Sequence, residues 1–132
     1  MKKTPRVLDV GQCGFDHAAI TDFIYKLTGA TVDAAGSRGQ ATALLDRQSY
    51  DLVLVNRILD GDGASGVDLI VQLKADPKCP PLMLVSNHPD AQLAAIKAGA
   101  LEGFGKSALY LARTAELVQA ALAGEKDTIN DR

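Results

Sequence analysis

The chain has 132 residues, 47% of them apolar, a formal net charge of −2 and only two cysteines. That is enough for one compact domain with a sizeable core and too little for two. Interspersed charges supply no basic stripe for nucleic acid or an anionic membrane surface, and Cys13 and Cys79 form neither a disulfide framework nor a metal-binding pair.

The opening MKKTPRVLDV is basic, but Asp9 and Gly11 interrupt its apolar run too early for a signal sequence or a membrane span, so a cytoplasmic location is expected. From there, short Val- and Leu-rich runs alternate with segments of helical periodicity: RVLDV, ATVDA, DLVLVN, PLMLVS and LEGFG read as strands. The third and fourth are apolar almost throughout, as strands covered on both faces are. In the first helix Ile20, Phe23, Ile24 and Leu27 fall at i, i+3, i+4 and i+7, and Gly29 closes it. The second is expected to start at Ser37 and bury Ala41, Leu44 and Leu45; the third carries Val67, Ile70 and Leu73 and stops before Pro77. The fourth opens at Asn87 or His88 ahead of Pro89 and ends near Gly99. The fifth is expected to be capped by Ser107 and shows Leu111, Ala115, Val118 and Leu122 on one face. Residues 1–123 read as one domain and 124–132, GEKDTINDR, as a frayed polar tail.

Five strand–helix repeats of this size predict an α/β fold, an open doubly wound parallel sheet with right-handed crossovers. Ligands in such sheets sit beyond the carboxyl ends of the strands. The segments GQCGFDH, NRILDGDGAS, SNHPD and KS should therefore converge.

With YDLVLVN, PPLMLVS and AIKAGALEGFGK on one chain, residues 6 to about 122 resemble the response-regulator receiver domain. The resemblance implies a flavodoxin-like sheet of strand order 2-1-3-4-5. It also implies a site where strand three ends on a phosphoryl-accepting Asp, strand one on an acidic pair holding Mg²⁺, strand four on Ser or Thr, and strand five on Lys. Here those places fall to Asn56, to Gly11 with Gln12, to Ser86 and to Lys106. An amide is a very poor nucleophile toward phosphorus, and Mg²⁺ demands hard, preferably anionic oxygens that Gly11 and Gln12 do not offer. The loop after Asn56 looks longer than usual, Gly103 stands where the family has an aromatic switch, and Ser107 replaces a proline, so no cis bond is expected there. The expectation is a degenerate, non-phosphorylatable receiver with no metal, no cofactor and no attached effector domain, in which Asn56 hydrogen-bonds Ser86 or Lys106.

Output would then pass through protein contacts with signalling partners or a second copy. By resemblance the contact face is helix four, strand five and helix five, with Ala91, Ala94, Ala98, Leu109, Tyr110 and Arg113. The alternative is a small-ligand or anion sensor using Lys106, Ser86, Arg57, Asp9, Asp60 and the turn from Gly11 to Gly14. An enzyme built from Cys13, Asp16, His17 and His88 ranks last, since the spacings match no zinc motif or nucleophile–base arrangement. For these residues, burial of Cys13 and capping or exposure of the histidines are the plainer readings. Lys106 is expected to pair with Asp9, Asp16, Asp60 or Asp62. Asp9 interrupts an apolar strand and needs a partner, expected to be Lys106 or a backbone turn. DGDG, residues 60–63, reads as a turn rather than a calcium loop.

Overall fold

A computed structural model describes residues 4–124. Five strands, β1 (Arg6–Val10), β2 (Thr31–Ala35), β3 (Leu52–Asn56), β4 (Leu82–Val85) and β5 (Leu101–Phe104), alternate with α1 (Gly14–Thr28), α2 (Arg38–Arg47), α3 (Gly66–Lys74), α4 (Pro89–Lys97) and α5 (Ala112–Ala123). All strand pairings in the sheet are parallel, in the order β2-β1-β3-β4-β5. The expected architecture and strand order are thus those observed. Residues 125–132 of the expected tail lie outside the described residues, and Gly124 itself is the left-handed C-cap of α5.

The two-residue period of the strands divides the core into two layers. Leu8, Val10, Val53, Val55, Leu82 and Leu84 face α2, α3 and α4, together with Ala41, Leu69, Ile70 and Ala95. Val7, Leu52, Leu54, Met83 and Val85 face α1 and α5, against Ile20, Phe23, Ile24 and Val118. Asp9 shares the second face and is 1% exposed.

Local chemistry sets the helix ends. Ser37 Oγ accepts the Gln40 N–H, as expected, and Ser65 Oγ accepts that of Asp68. Gly29 closes α1 at φ 77°. Two expectations are corrected. Cys13 is not simply buried; it is the N-cap of α1, its Sγ accepting the Asp16 N–H at 3.5 Å. Ser107 does not cap α5, because a 3₁₀ turn spans Lys106–Ala108 and α5 starts at Ala112. Ser107 instead donates its N–H and hydroxyl to Asn87 Oδ1 at 3.2 and 3.0 Å, tying the ends of β4 and β5 together. No peptide bond among the described residues is cis.

Candidate functional site

The loops at the carboxyl edge of the sheet converge as the topology requires. Asn56 ends β3, but it does not bond Ser86 or Lys106. Its Nδ2 donates to the carbonyls of Gly11 at 3.0 Å and Ile58 at 2.8 Å, so both amide hydrogens serve the backbone of its own loop and of the β1–α1 turn. The reason lies in residues 57–66, which fold back on themselves. Ile58 and Ser65 form an antiparallel bridge, and the Leu59 N–H donates to Ala64 O at 2.9 Å. The loop is also fastened to its neighbours: Asp60 N–H to Gly11 O at 2.9 Å, Gly61 N–H to Gly36 O at 2.8 Å, and the Arg38 N–H to Asp62 Oδ2 at 3.1 Å. The DGDG segment is a turn, as expected, and Asp60 is exposed rather than part of a cluster.

Within this loop Leu59 is fully buried and joins the α2–α3–α4 core layer. It packs against Gly11, whose φ of 83° is a conformation that side chains rarely adopt. A Cβ at Gly11 would come within 2.8 Å of Leu59 Cα. The place implied for a metal-binding carboxylate is thus closed by an apolar plug. Gln12 is 9% exposed and neither amide atom has a hydrogen-bond partner. Among the described residues no group of three His, Cys, Asp or Glu side chains could hold a metal ion.

Two ion pairs lie beside this turn. Asp9 Oδ2 accepts the His17 Nδ1–H at 2.7 Å, which corrects both the expected Lys106 partner of Asp9 and the expected capping or exposed role of His17. Burial pushes the Asp9 carboxyl above its ordinary range, opposed by His17, by Gln12 and by the field of Lys106. Gln12 lies close enough to favour the charged form, yet Asp9 Oδ1 lacks a well-formed hydrogen bond. The Asp9 carboxylate in turn holds the His17 imidazole above its ordinary value. Lys106 Nζ reaches Asp16 Oδ2 at 2.8 Å, one of the four partners expected for it, and holds the Asp16 carboxyl below its ordinary range.

A shallow cavity of about 250 Å³ opens between the ends of β3 and β4, lined by Asn56, Arg57, Ile58, Ser86, His88 and Lys106 among others. Asp9, Gly11, Gln12, Gly14 and Asp60 are not among its lining residues. Ser86, 6% exposed, accepts the His88 N–H at 3.0 Å through Oγ. The enzyme constellation does not assemble: Cys13 caps α1, Asp16 holds Lys106, His17 holds Asp9, and His88 is exposed at the start of α4.

Of the expected contact residues, Tyr110 is 68% exposed and meets Phe23 of α1 edge-on with ring centroids 5.8 Å apart. Arg113 Nη2 pairs with Glu102 at 2.8 Å, Ala94 is exposed, and Ala91 and Ala98 are half-buried. Leu109 is corrected: at 7% exposure it belongs to the α1–α5 core layer and is not a contact residue.

Sequence reasoning missed the Leu59 plug, the Asp9–His17 pair and Gln92. The Gln92 Nε2 donates from α4 to Leu84 O at 2.9 Å and Ser86 O at 3.0 Å, where Gly103 leaves room. A lone Leu inside a Gly- and Asp-rich loop, and a His in the first turns of α1 following a strand-interrupting Asp, were the available signals.

Sheet order and edge geometry define a doubly wound, flavodoxin-like α/β protein. More narrowly, its fold is that of the receiver domain of response regulators. The chain is similar to the receiver domain of Francisella response regulator 1452, with a TM-score of 0.77 at 16% identity, covering 93% of this chain and 100% of that one. It is similar to a two-component response regulator from Clostridium difficile, with a TM-score of 0.74 at 19% identity over 95% and 100% of the two chains. It is also similar to the signal receiver domain of a signal transduction histidine kinase from Syntrophus aciditrophicus, with a TM-score of 0.73 at 18% identity over 94% of each. No protein-family model and no curated protein matches the sequence. No helix among the described residues is long and apolar enough to cross a membrane.

Proposed function

We propose that residues 1–123 act as an atypical, receiver-like signalling module of the cytoplasm that is not phosphorylated at the usual strand end and works by protein–protein contact. The observation that carries this reading is the state of Asn56: an amide in place of a carboxylate, both hydrogens committed to Gly11 O and Ile58 O, beside a turn where Leu59 leaves no room for a side chain at Gly11. A phosphoryl group arriving there would lack both a nucleophile and a metal to neutralise its charge. The module is then a binding protein rather than an enzyme.

The proposed contact surface is the face of α4, β5 and α5 with Ala91, Ala94, Ala98, Tyr110 and Arg113. Its test is Tyr110→Glu, which is expected to leave the circular dichroism spectrum unchanged and to abolish self-association in analytical ultracentrifugation or capture of a signalling partner. Unchanged association would remove this face from the account.

A second reading, a sensor of a small anion, has the cavity beside Lys106, Arg57 and Ser86 in its favour. It is the weaker one because Lys106 already has a carboxylate at 2.8 Å and Asn56 directs its donors away from a ligand. Calorimetric titration with phosphate and sulfate separates the two readings: saturable heat abolished by Lys106→Ala supports the sensor, and no heat supports the contact module.

A further inference from the structure

The two ion pairs beside the β1–α1 turn share one feature. Asp9 and Asp16 are carboxylates seven positions apart, and each is paired with one basic side chain. His17 is bonded to Asp9 and Lys106 to Asp16. Asp9 is the more demanding partner. It is 1% exposed, its Oδ1 has no hydrogen-bond partner, and a buried carboxylate without compensation is costly. Lys106 is the second cation whose field reaches it.

We propose that these four residues form a proton-controlled exchange of partners: when His17 loses its proton, Lys106 leaves Asp16 for the uncompensated Asp9, and the first turns of α1 loosen. The proton that leaves is the one on Nε2. Nδ1–H is held by Asp9 at 2.7 Å, whereas Nε2 faces only Thr21 Oγ1 at 3.4 Å, and the Thr21 hydroxyl is already donated to His17 O at 2.8 Å. The side chain is 27% exposed, so water can take that proton. The neutral imidazole keeps its hydrogen bond to Asp9 but no longer cancels the charge, and Lys106 does.

Among the described residues, none of the other groups around this turn brings a further cation to Asp9. Cys13 is occupied as the helix cap, and Gln12, which favours the charged form of Asp9, supplies a neutral amide and no charge. On the exposed side of α1, Asp22 pairs with Lys26. On β2, Asp33 accepts from Tyr50. On α5, Arg113 turns outward to Glu102 and Glu116. The exchange does not depend on the signalling role, since it requires only the four side chains. Its consequence for that role is direct, because Lys106 also lines the cavity at the ends of β3 and β4.

The test is an NMR titration of the whole chain, following the His17 ring, the Lys106 side chain and amide exchange at residues 15–21. The expected result is that Lys106 resonances shift with the His17 midpoint. Protection of those amides, corrected for intrinsic exchange, should fall about tenfold per unit of pH between the ordinary histidine value and the His17 midpoint. In His17→Gln, Lys106 should show no such transition, and in Asp9→Asn it should stay with Asp16 throughout. Lys106 resonances or amide protection indifferent to the His17 titration in the wild-type chain would overturn the proposal, as would an unchanged Lys106 transition in His17→Gln.

Discussion

Leu59 occupies the space that any side chain at Gly11 would need. The two residues come from different loops, after β3 and after β1, and meet where a Cβ on Gly11 would lie within 2.8 Å of Leu59 Cα. Leu59 is fully buried there, so the loop after β3 is held by core packing as well as by its hydrogen bonds to Gly11 and Gly36. At the Gly11 turn the edge is filled by core packing, and the cavity lined by Asn56, Arg57, Ser86 and Lys106 lies beside it.

Leu59→Ala is therefore expected to cost about 2–5 kcal/mol, the range for emptying a buried leucine site. Urea denaturation monitored by circular dichroism measures it. Gly11→Asp should also destabilise, by about 1–3 kcal/mol or more from overpacking on Leu59 together with strain at a positive φ. A gain of stability in Gly11→Asp on adding Mg²⁺ would show that the plug can be displaced.

The sheet, its order and the starts of α2 and α4 were legible in the sequence because they rest on periodicity and on punctuation by Ser, Gly and Pro. Ser37 and Gly29 act where such signals place them. The start of α5 was not, because Ser107 bonds to Asn87, a residue twenty positions earlier, and no local pattern announces that. The site was half legible. That Asn56, Ser86 and Lys106 meet at one edge follows from topology. The direction of the Asn56 amide depends on how the 57–66 loop folds, and the burial of Leu59 depends on the absence of a side chain at Gly11. An Asp inside an apolar strand announces its need for a partner, and Lys106 or a backbone turn is what the sequence suggests; that the partner is His17 depends on the rotation of α1.

Gly103 sits against Leu84 O, with Gln92 Oε1 2.9 Å from where its Cβ would be. Gly103→Ala is expected to destabilise by about 1–3 kcal/mol, since the neighbour on one side is backbone and cannot yield. Gln92→Ala should cost a similar amount, about 1–3 kcal/mol, by leaving the Leu84 and Ser86 carbonyls without this donor. Thermal melts of both variants check these values.

The acid side of the stability profile should report Asp16. Lys106 lowers its folded pKa below 3.8, so its contribution is fully present above that value and is lost as pH falls through the folded pKa. Asp16→Asn should flatten the decline of melting temperature below pH 3.8. The neighbouring pair has the opposite sign: the His17 pKa is raised above 6.5, so its contribution is present below that value and is lost as pH rises through the folded pKa. His17→Gln should remove that second decline and leave the acid one.

The most direct test of the central claim is intact-mass spectrometry of the wild-type chain after incubation with a small phosphodonor such as acetyl phosphate and Mg²⁺, alongside Asn56→Asp. The account predicts no phosphoryl addition to wild type and little or none to Asn56→Asp, because one restored carboxylate still faces Gly11, Gln12 and the Leu59 plug. Stoichiometric phosphorylation of the wild-type chain would contradict it.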